Sequence, residues 1–160
     1  MNVLHVISTL GRGGAERQLL DLLPALARRG IVSRVAYLKG DGALEAAFRA
    51  RGVPAERVGI VAPFDPSAAA RLVPRARAAD LVHGHLFKGE VHAALAAAAA
   101  GRRLVVTRHA DDSYLERAWV RPIARRTFRR AVARVAISDA IAAMRPVLPP
   151  ARPRAKRLGR

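Results

Sequence analysis

The residues Gly11-Arg12-Gly13-Gly14-Ala15-Glu16-Arg17 follow closely on the apolar run Val3-Leu4-His5-Val6-Ile7-Ser8. That succession reads as a strand, a tight turn and the start of a helix. Such a turn leaves backbone N–H groups free at a helix N-terminus, where they can hold phosphate or another anionic oxygen. Glu16 stands where the dinucleotide fingerprint G-x-G-x-x-G has its third glycine, and no Gly-Lys-Ser/Thr follows as a Walker loop requires. Taken alone, the loop is equally well read as a helix starting at a flexible turn for packing reasons. Glu16 in the first turn suits the helix dipole, whereas Arg17 opposes it, which favours an anionic group in front of Arg17.

Histidines supply the second group of candidates. His83 and His85 are two apart in an apolar run, so on a strand they share a face. Together with His92 or His109 they could be offered to a metal ion. Zinc, however, needs a third ligand with its supporting hydrogen bonds, and no H-E-x-x-H or similar spacing occurs. No metal and no cofactor are expected. His83 is expected partly buried beside the sheet, and His85 to reach a cleft from its strand end. His109 ends the run Leu104–Thr107 just before Asp111-Asp112. As a neutral imidazole it can bond a sugar or phosphate, and beside Asp111 it can act as a general base. Ordering its own loop is the competing role for His109, as capping the next helix is for the two aspartates.

These residues need elements to carry them. Apolar runs predict strands near Val3–Ser8, Ser33–Leu38, Ala55–Ile60, Leu81–His85, Leu104–His109 and Arg134–Ile137. Helical periodicity predicts helices over about 14–29, 42–51, 67–78, 89–100 and 116–131, with a short one from Asp139. Ala15, Leu19, Leu22, Leu23 and Leu26 mark the first most clearly, and Gly30 closes it. This β-α-β rhythm predicts a doubly wound, Rossmann-like α/β fold: a parallel sheet with helices on both faces. In the usual strand order 3-2-1-4-5-6 the topological switch lies between the first and fourth strands. The glycine loop 9–16, the loop after His85 and the loop after Arg108-His109 then converge at one edge. That convergence lifts the glycine loop above a mere packing turn.

Composition narrows the rest. At 160 residues, half of them apolar and 4% aromatic, the chain can bury a core built mainly of Ala, Val and Leu. It has no cysteine, which excludes a disulfide scaffold and a thiolate metal site. No signal-peptide pattern opens it, and the longest apolar stretch, Val91 to Ala100, is too short to span a bilayer. The formal charge is +17, and 26 of the 29 basic residues are arginine. Such a charge favours polyanions in general. The arginines do not interleave with aromatics as on a single-strand-binding surface, so nucleic acid is not expected as a partner. Residues 117–134 hold seven arginines and no acid, with Trp119, Val120, Ile123 and Phe128 among them. That pattern suits an amphipathic helix packed on the sheet, or one lying on an anionic membrane surface. Residues 145–160, with four prolines, six basic residues and no acid, read as a Pro/Arg-rich linker or disordered tail.

Four segments now stand together: Gly13-Gly14-Ala15-Glu16-Arg17 after the first strand, Leu81 to Lys88, Val105 to His109, and Arg134 to Ile141. In that order, over residues 1–144, they resemble the N-terminal half of a GT-B glycosyltransferase of the family 4 type. The resemblance implies a retaining enzyme of two Rossmann-like domains facing a cleft. The first domain would mainly bind the acceptor, with its glycine loop near the donor diphosphate. It implies Gly13 and Gly14 as that loop, His109 as a donor-sugar contact, Ser138 near the cleft, and His85 on the acceptor side. Arg17, Lys88, Arg108 and Asp111 complete the expected substrate-binding set. The implied partners are a nucleotide-sugar donor and a hydroxyl acceptor such as a glycan or glycolipid. Several members sit on membranes through basic helices of this domain, which joins 117–134 to an anionic membrane surface.

The family's second domain uses a spaced pair of glutamates to hold the nucleotide. The glutamates here, at 16, 45, 56, 90 and 116, provide no such pair. The expectation is therefore domain 1–144 plus tail 145–160, with the C-terminal donor-binding domain absent. Such a chain would be cytoplasmic, or peripheral at the inner face of the membrane. One wall of a cleft cannot preorganise a donor or exclude water, so transfer by this chain alone is not expected. Two other classes compete: a non-catalytic module for anionic surfaces, and a different nucleotide-dependent enzyme on the same sheet. Against the latter, Lys39 stands where a dehydrogenase carries its ribose-binding carboxylate.

Overall fold

Alternation of apolar residues decides which side of each strand meets which helices. The computed structural model describes residues 1–109 and 120–143. Its elements are β1 (Asn2–Thr9), α1 (Gly14–Ala27), β2 (Val32–Lys39), α2 (Glu45–Ala50), β3 (Ala55–Arg57), α3 (Pro66–Arg77), β4 (Leu81–His85) and α4 (Leu86–Ala100). They continue with β5 (Arg103–Arg108), α5 (Arg121–Arg130), β6 (Ala133–Ala136) and α6 (Asp139–Ala143). The six strands form one sheet in the order β3-β2-β1-β4-β5-β6, parallel at every pairing. This is the doubly wound Rossmann-like order expected from the sequence, with its switch between β1 and β4.

One face of the sheet is dry. Leu4, Val6, Leu38, Val82, Leu104 and Val106 meet Leu72 and Ala76 of α3, the alanines of α4, and Ala124 and Phe128 of α5. On the other face Ile7, Val35 and Tyr37 meet Leu19, Leu20 and Leu23 of α1 and Phe48 of α2. Right-handed crossovers put α1 and α2 on one side; the reversal of direction after β3 sends α3, α4 and α5 to the other.

Close approach explains the small residues of α4. A Cβ on Gly89 would lie 2.7 Å from the Val6 carbonyl oxygen, and one on Gly84 2.7 Å from the Glu90 Cα. The helix is thus seated directly on β1 and β4, and the Gly89 N–H donates to Ser8 Oγ at 3.1 Å. Helix α3 opens on Asp65, whose carboxylate accepts from the Ser67 and Ala68 amides at 2.9 and 3.3 Å. The Ser67 hydroxyl and the Val61 amide donate to it as well, and these bonds, the hydroxyl's first, hold its pKa down to about 2.

Several boundaries differ from expectation. Helix α4 begins at Leu86 rather than 89, straight from the strand, and Leu86 takes φ +58° to make the corner. Strand β3 ends at Arg57 because Gly59, at φ +77°, turns the chain away. Gly42, at φ +69°, is spent on a turn, so α2 starts at Glu45. The start predicted for the 116–131 helix, the aspartate pair Asp111-Asp112, Trp119 and the tail 145–160 lie outside the described residues.

Candidate functional site

Period-two alternation places the site. In the parallel register His5 pairs with His83, Ile7 with His85, and His85 with Thr107. His5, His83, His85 and Thr107 therefore share the α1/α2 face, running from the middle of β1 and β4 to the carboxyl ends of β4 and β5. His109, the residue after β5, follows the same alternation. The imidazoles are in contact: His5 Nδ1 lies 3.1 Å from His85 Nε2, and His85 Nδ1 lies 3.1 Å from His109 Nε2. The rings of His83 and His85 stand 4.0 Å apart between centroids, and His83 Nε2 bonds Thr107 Oγ1 at 2.7 Å.

Burial sets their charge. His5 and His85 are each 1% exposed, and desolvation drives both far below the ordinary histidine value, helped by neighbouring imidazoles. Desolvation likewise brings His83 down to about 4. His109 is lowered too, chiefly by burial, while the charge of Glu16 pulls the other way. At neutral pH this is a row of uncharged rings. One nitrogen from each of His5, His83 and His85 lies within 4.8 Å of the others, so these three are the metal-capable cluster among the described residues. His5 Nδ1, His85 Nε2 and His83 Nε2 already bond one another or Thr107, whereas His5 Nε2 has no partner among the described residues.

The glycine loop faces this row. Gly13 caps α1 with an extended backbone, and the Glu16 side chain folds back over it. Glu16 is buried, 5% exposed, and accepts from Thr9 Oγ1 at 2.6 Å, a firmer role than dipole complement alone. A Cβ on Gly11 or Gly14 would meet nothing within 4 Å, and neither has a left-handed φ. Neither backbone conformation nor packing among the described residues therefore requires glycine at these two positions. What glycine leaves there is room above the loop. Arg17 is exposed on the first turn of α1, and Lys88 is half-buried on the first turn of α4. Burial and the nearby Lys39 ammonium lower the Lys88 pKa, so two lysines share this rim.

The remaining candidates fall elsewhere. His85, expected to reach the cleft, sits behind His109 instead. Arg108 alternates to the dry face, where its Nη2 lies 3.9 Å from Glu90 Oε2 and its guanidinium stacks 4.6 Å from the Phe128 ring. His92 is fully buried in α4, bonding the Lys88 carbonyl and accepting from the Asp65 N–H, far from any ligand role. Ser138 is exposed and accepts from the Ile141 amide at 3.3 Å, as a cap of α6. Asp111 lies outside the described residues. Sequence reasoning missed His5. The signal for it was available: in this strand order β1 neighbours β4, so a β1 residue level with His83 must join the row.

Comparison with known proteins agrees with this fold. The model of Glycosyltransferase Family 4 matches residues 12–144. No curated protein matches the chain significantly. Among solved structures, the chain resembles Anabaena Alr3699/HepE in complex with UDP at 25% identity and a TM-score of 0.74, covering 88% of this chain and 38% of that one. UDP-GlcNAc 2-epimerase from Methanocaldococcus jannaschii shares the fold at 11% identity and a TM-score of 0.60, covering 87% of this chain and 40% of that one. Acinetobacter baumannii MurG does so at 13% and 0.57, covering 84% and 45%. The chain thus spans about two fifths of the length of the solved proteins it resembles. Among the described residues, no helix is long and apolar enough to cross a membrane.

Proposed function

The chain belongs to glycosyltransferase family 4, and from that membership we propose that residues 1–144 form the acceptor-side domain of a retaining glycosyltransferase. The reaction is transfer of a sugar, of hexosyl type, from a nucleotide-activated donor to a hydroxyl of a glycan or glycolipid. HepE, whose structures hold UDP, UDP and glucose, or UDP-glucose, supports a uridine-diphosphate sugar as the donor class. The observation that carries the reading is the empty space over Gly11 and Gly14, opposite His109 at the switch of the sheet. In this reading the loop 11–14 approaches the donor diphosphate, with Arg17 and Lys88 as its cationic rim. His109 touches the donor sugar, and Ser138 lies near the cleft while capping α6. The wall that grips the nucleotide belongs to a second domain, so residues 1–160 by themselves bind donor weakly and transfer no sugar.

Chemical-shift mapping of the isotope-labelled chain with millimolar UDP-glucose tests this. Shifts should gather at Gly11 to Gly14, Arg17, Lys88 and His109. Shifts scattered elsewhere, or none, would overturn the assignment, and robust transfer by residues 1–160 alone would overturn the half-site.

A second surface supports peripheral attachment at the inner, anionic face of a membrane. On α5 the side chains of Arg121, Arg125, Arg126, Arg129 and Arg130 are all exposed, while Ala124 and Phe128 are buried against the sheet. The helix thus packs by its apolar side and turns its arginines outward. Flotation with phosphatidylglycerol vesicles should show binding that collapses between low and physiological salt. Salt-independent binding would point to insertion instead.

A further inference from the structure

We infer that His5, buried in the middle of β1, is a positioning residue for His109, acting through His85 along a chain of three imidazoles. A neutral imidazole has one N–H and one acceptor nitrogen, so consecutive N···N bonds force a common direction on all three rings. The two bonds, His5 Nδ1 to His85 Nε2 and His85 Nδ1 to His109 Nε2, are both 3.1 Å. Only two arrangements satisfy them. In one, every ring carries its proton on Nδ1, and the chain ends in an N–H on His109. In the other, every ring is protonated on Nε2, and the chain ends in an N–H on His5.

The two ends are not equivalent. His5 is 1% exposed and its Nε2 has no hydrogen-bond partner among the described residues, so an N–H there stays orphaned whatever binds. His109 Nδ1 is also covered and lacks a partner among the described residues, but His109 as a whole is only half-buried and stands at the strand end facing the glycine loop. An orphaned N–H costs less there than in the fully desolvated interior. The charge of Glu16, which acts on His109, further favours an N–H over a lone pair there. The interior end therefore pushes the row toward protonation on Nδ1, and His109 holds its proton on Nδ1 with Nε2 as the acceptor toward His85. The chain of tautomers stands on its own geometry; its service to sugar transfer rests on the reading of His109 given above.

Nitrogen-15 NMR of the histidine rings in residues 1–160, at neutral pH and without ligand, reads the tautomers directly. The expected result is Nδ1–H on His5, His85 and His109. Protonation on Nε2 at His85 and His109, or a mixture, overturns the inference. In His5→Phe the chain loses its first donor, and His109 should become a mixture of tautomers. His5→Asn, whose amide can donate near the Nδ1 position, should restore the single form. If His109 is unchanged in a folded His5→Phe, the role of His5 is refuted; if that variant does not fold, the wild-type tautomers and His5→Asn still decide. Titration with zinc chloride alone should leave the three ring signals unchanged. Saturable joint shifts of His5, His83 and His85 would make them metal ligands and sink the proposal. A correct tautomer row with no UDP-glucose effect on His109 would fault the transferase reading and leave the chain of imidazoles intact.

Discussion

The two faces of the same central strands are built from opposite chemistry. Toward α3, α4 and α5, strands β1, β4 and β5 present Leu4, Val6, Val82, Leu104 and Val106, each at most 2% exposed. Toward α1 they present His5, His83, His85 and Thr107, linked by short polar contacts. A parallel sheet normally buries both faces under apolar helices. Here one face holds the fold together, and the other spends buried positions on neutral imidazoles at the carboxyl end of the switch. Apolar packing tolerates no added volume, whereas the histidine row tolerates no added charge, and each can be broken on its own terms.

The largest effect should come from the dry face. Gly89→Val would drive a branched side chain into the β1 backbone, and most of the chain should be recovered unfolded; Gly89→Ala should cost about 3 kcal/mol. Urea titration followed by circular dichroism checks both, and near-native midpoints would mean that α4 is not seated as described. Phe128→Ala removes a fully buried ring that also supports Arg108, and should cost about 3–5 kcal/mol in the same titration.

Acid should break the other face. The row titrates below the ordinary 6.5 in the folded chain, so between that value and about 4 the unfolded chain binds more protons. Stability must then fall as pH is lowered through this window, and His83 alone accounts for about 3 kcal/mol of the loss. Thermal melts from pH 7 to pH 4 should show a steep decline, and His83→Leu should flatten it at a cost of about 1 kcal/mol or less at neutral pH. A pH-independent melting temperature would mean that the rings are not buried in neutral form. The smallest effect belongs to α5. Replacing Arg125, Arg126, Arg129 and Arg130 by Gln should shift stability by about 0.5 kcal/mol per site at most, while abolishing vesicle flotation.

Much of this was legible from residue order. The strand sequence, the helices between, and the resemblance carried by Gly13-Gly14, His83-x-His85 and His109 led to the right sheet, with its switch between β1 and β4. What sequence reasoning lost was direction. Arg108 and His109 are adjacent, so alternation must send them to opposite faces, yet both were grouped as ligand contacts. His85 was aimed at the cleft because it ends a strand; the structure stops it one ring short, since α4 starts without a loop and His109 stands in front. His5 escaped notice because its partners are about eighty residues away in sequence, a separation that only the strand order bridges. Glu16 looked like a surface dipole partner because its bond to Thr9 depends on the chain folding back over Gly13.

That long separation has a consequence for how the molecule comes into being. Strand β1 waits at the centre of the sheet for β4, and every crossover between them must close before their residues meet. Pairings so distant along the chain form late and slowly, after local helices and the β1–α1–β2 unit have already taken shape. The imidazole row is then among the last features to assemble during refolding. The appearance of its bonded ring protons in time-resolved spectra would mark the moment when the two halves of the sheet have joined.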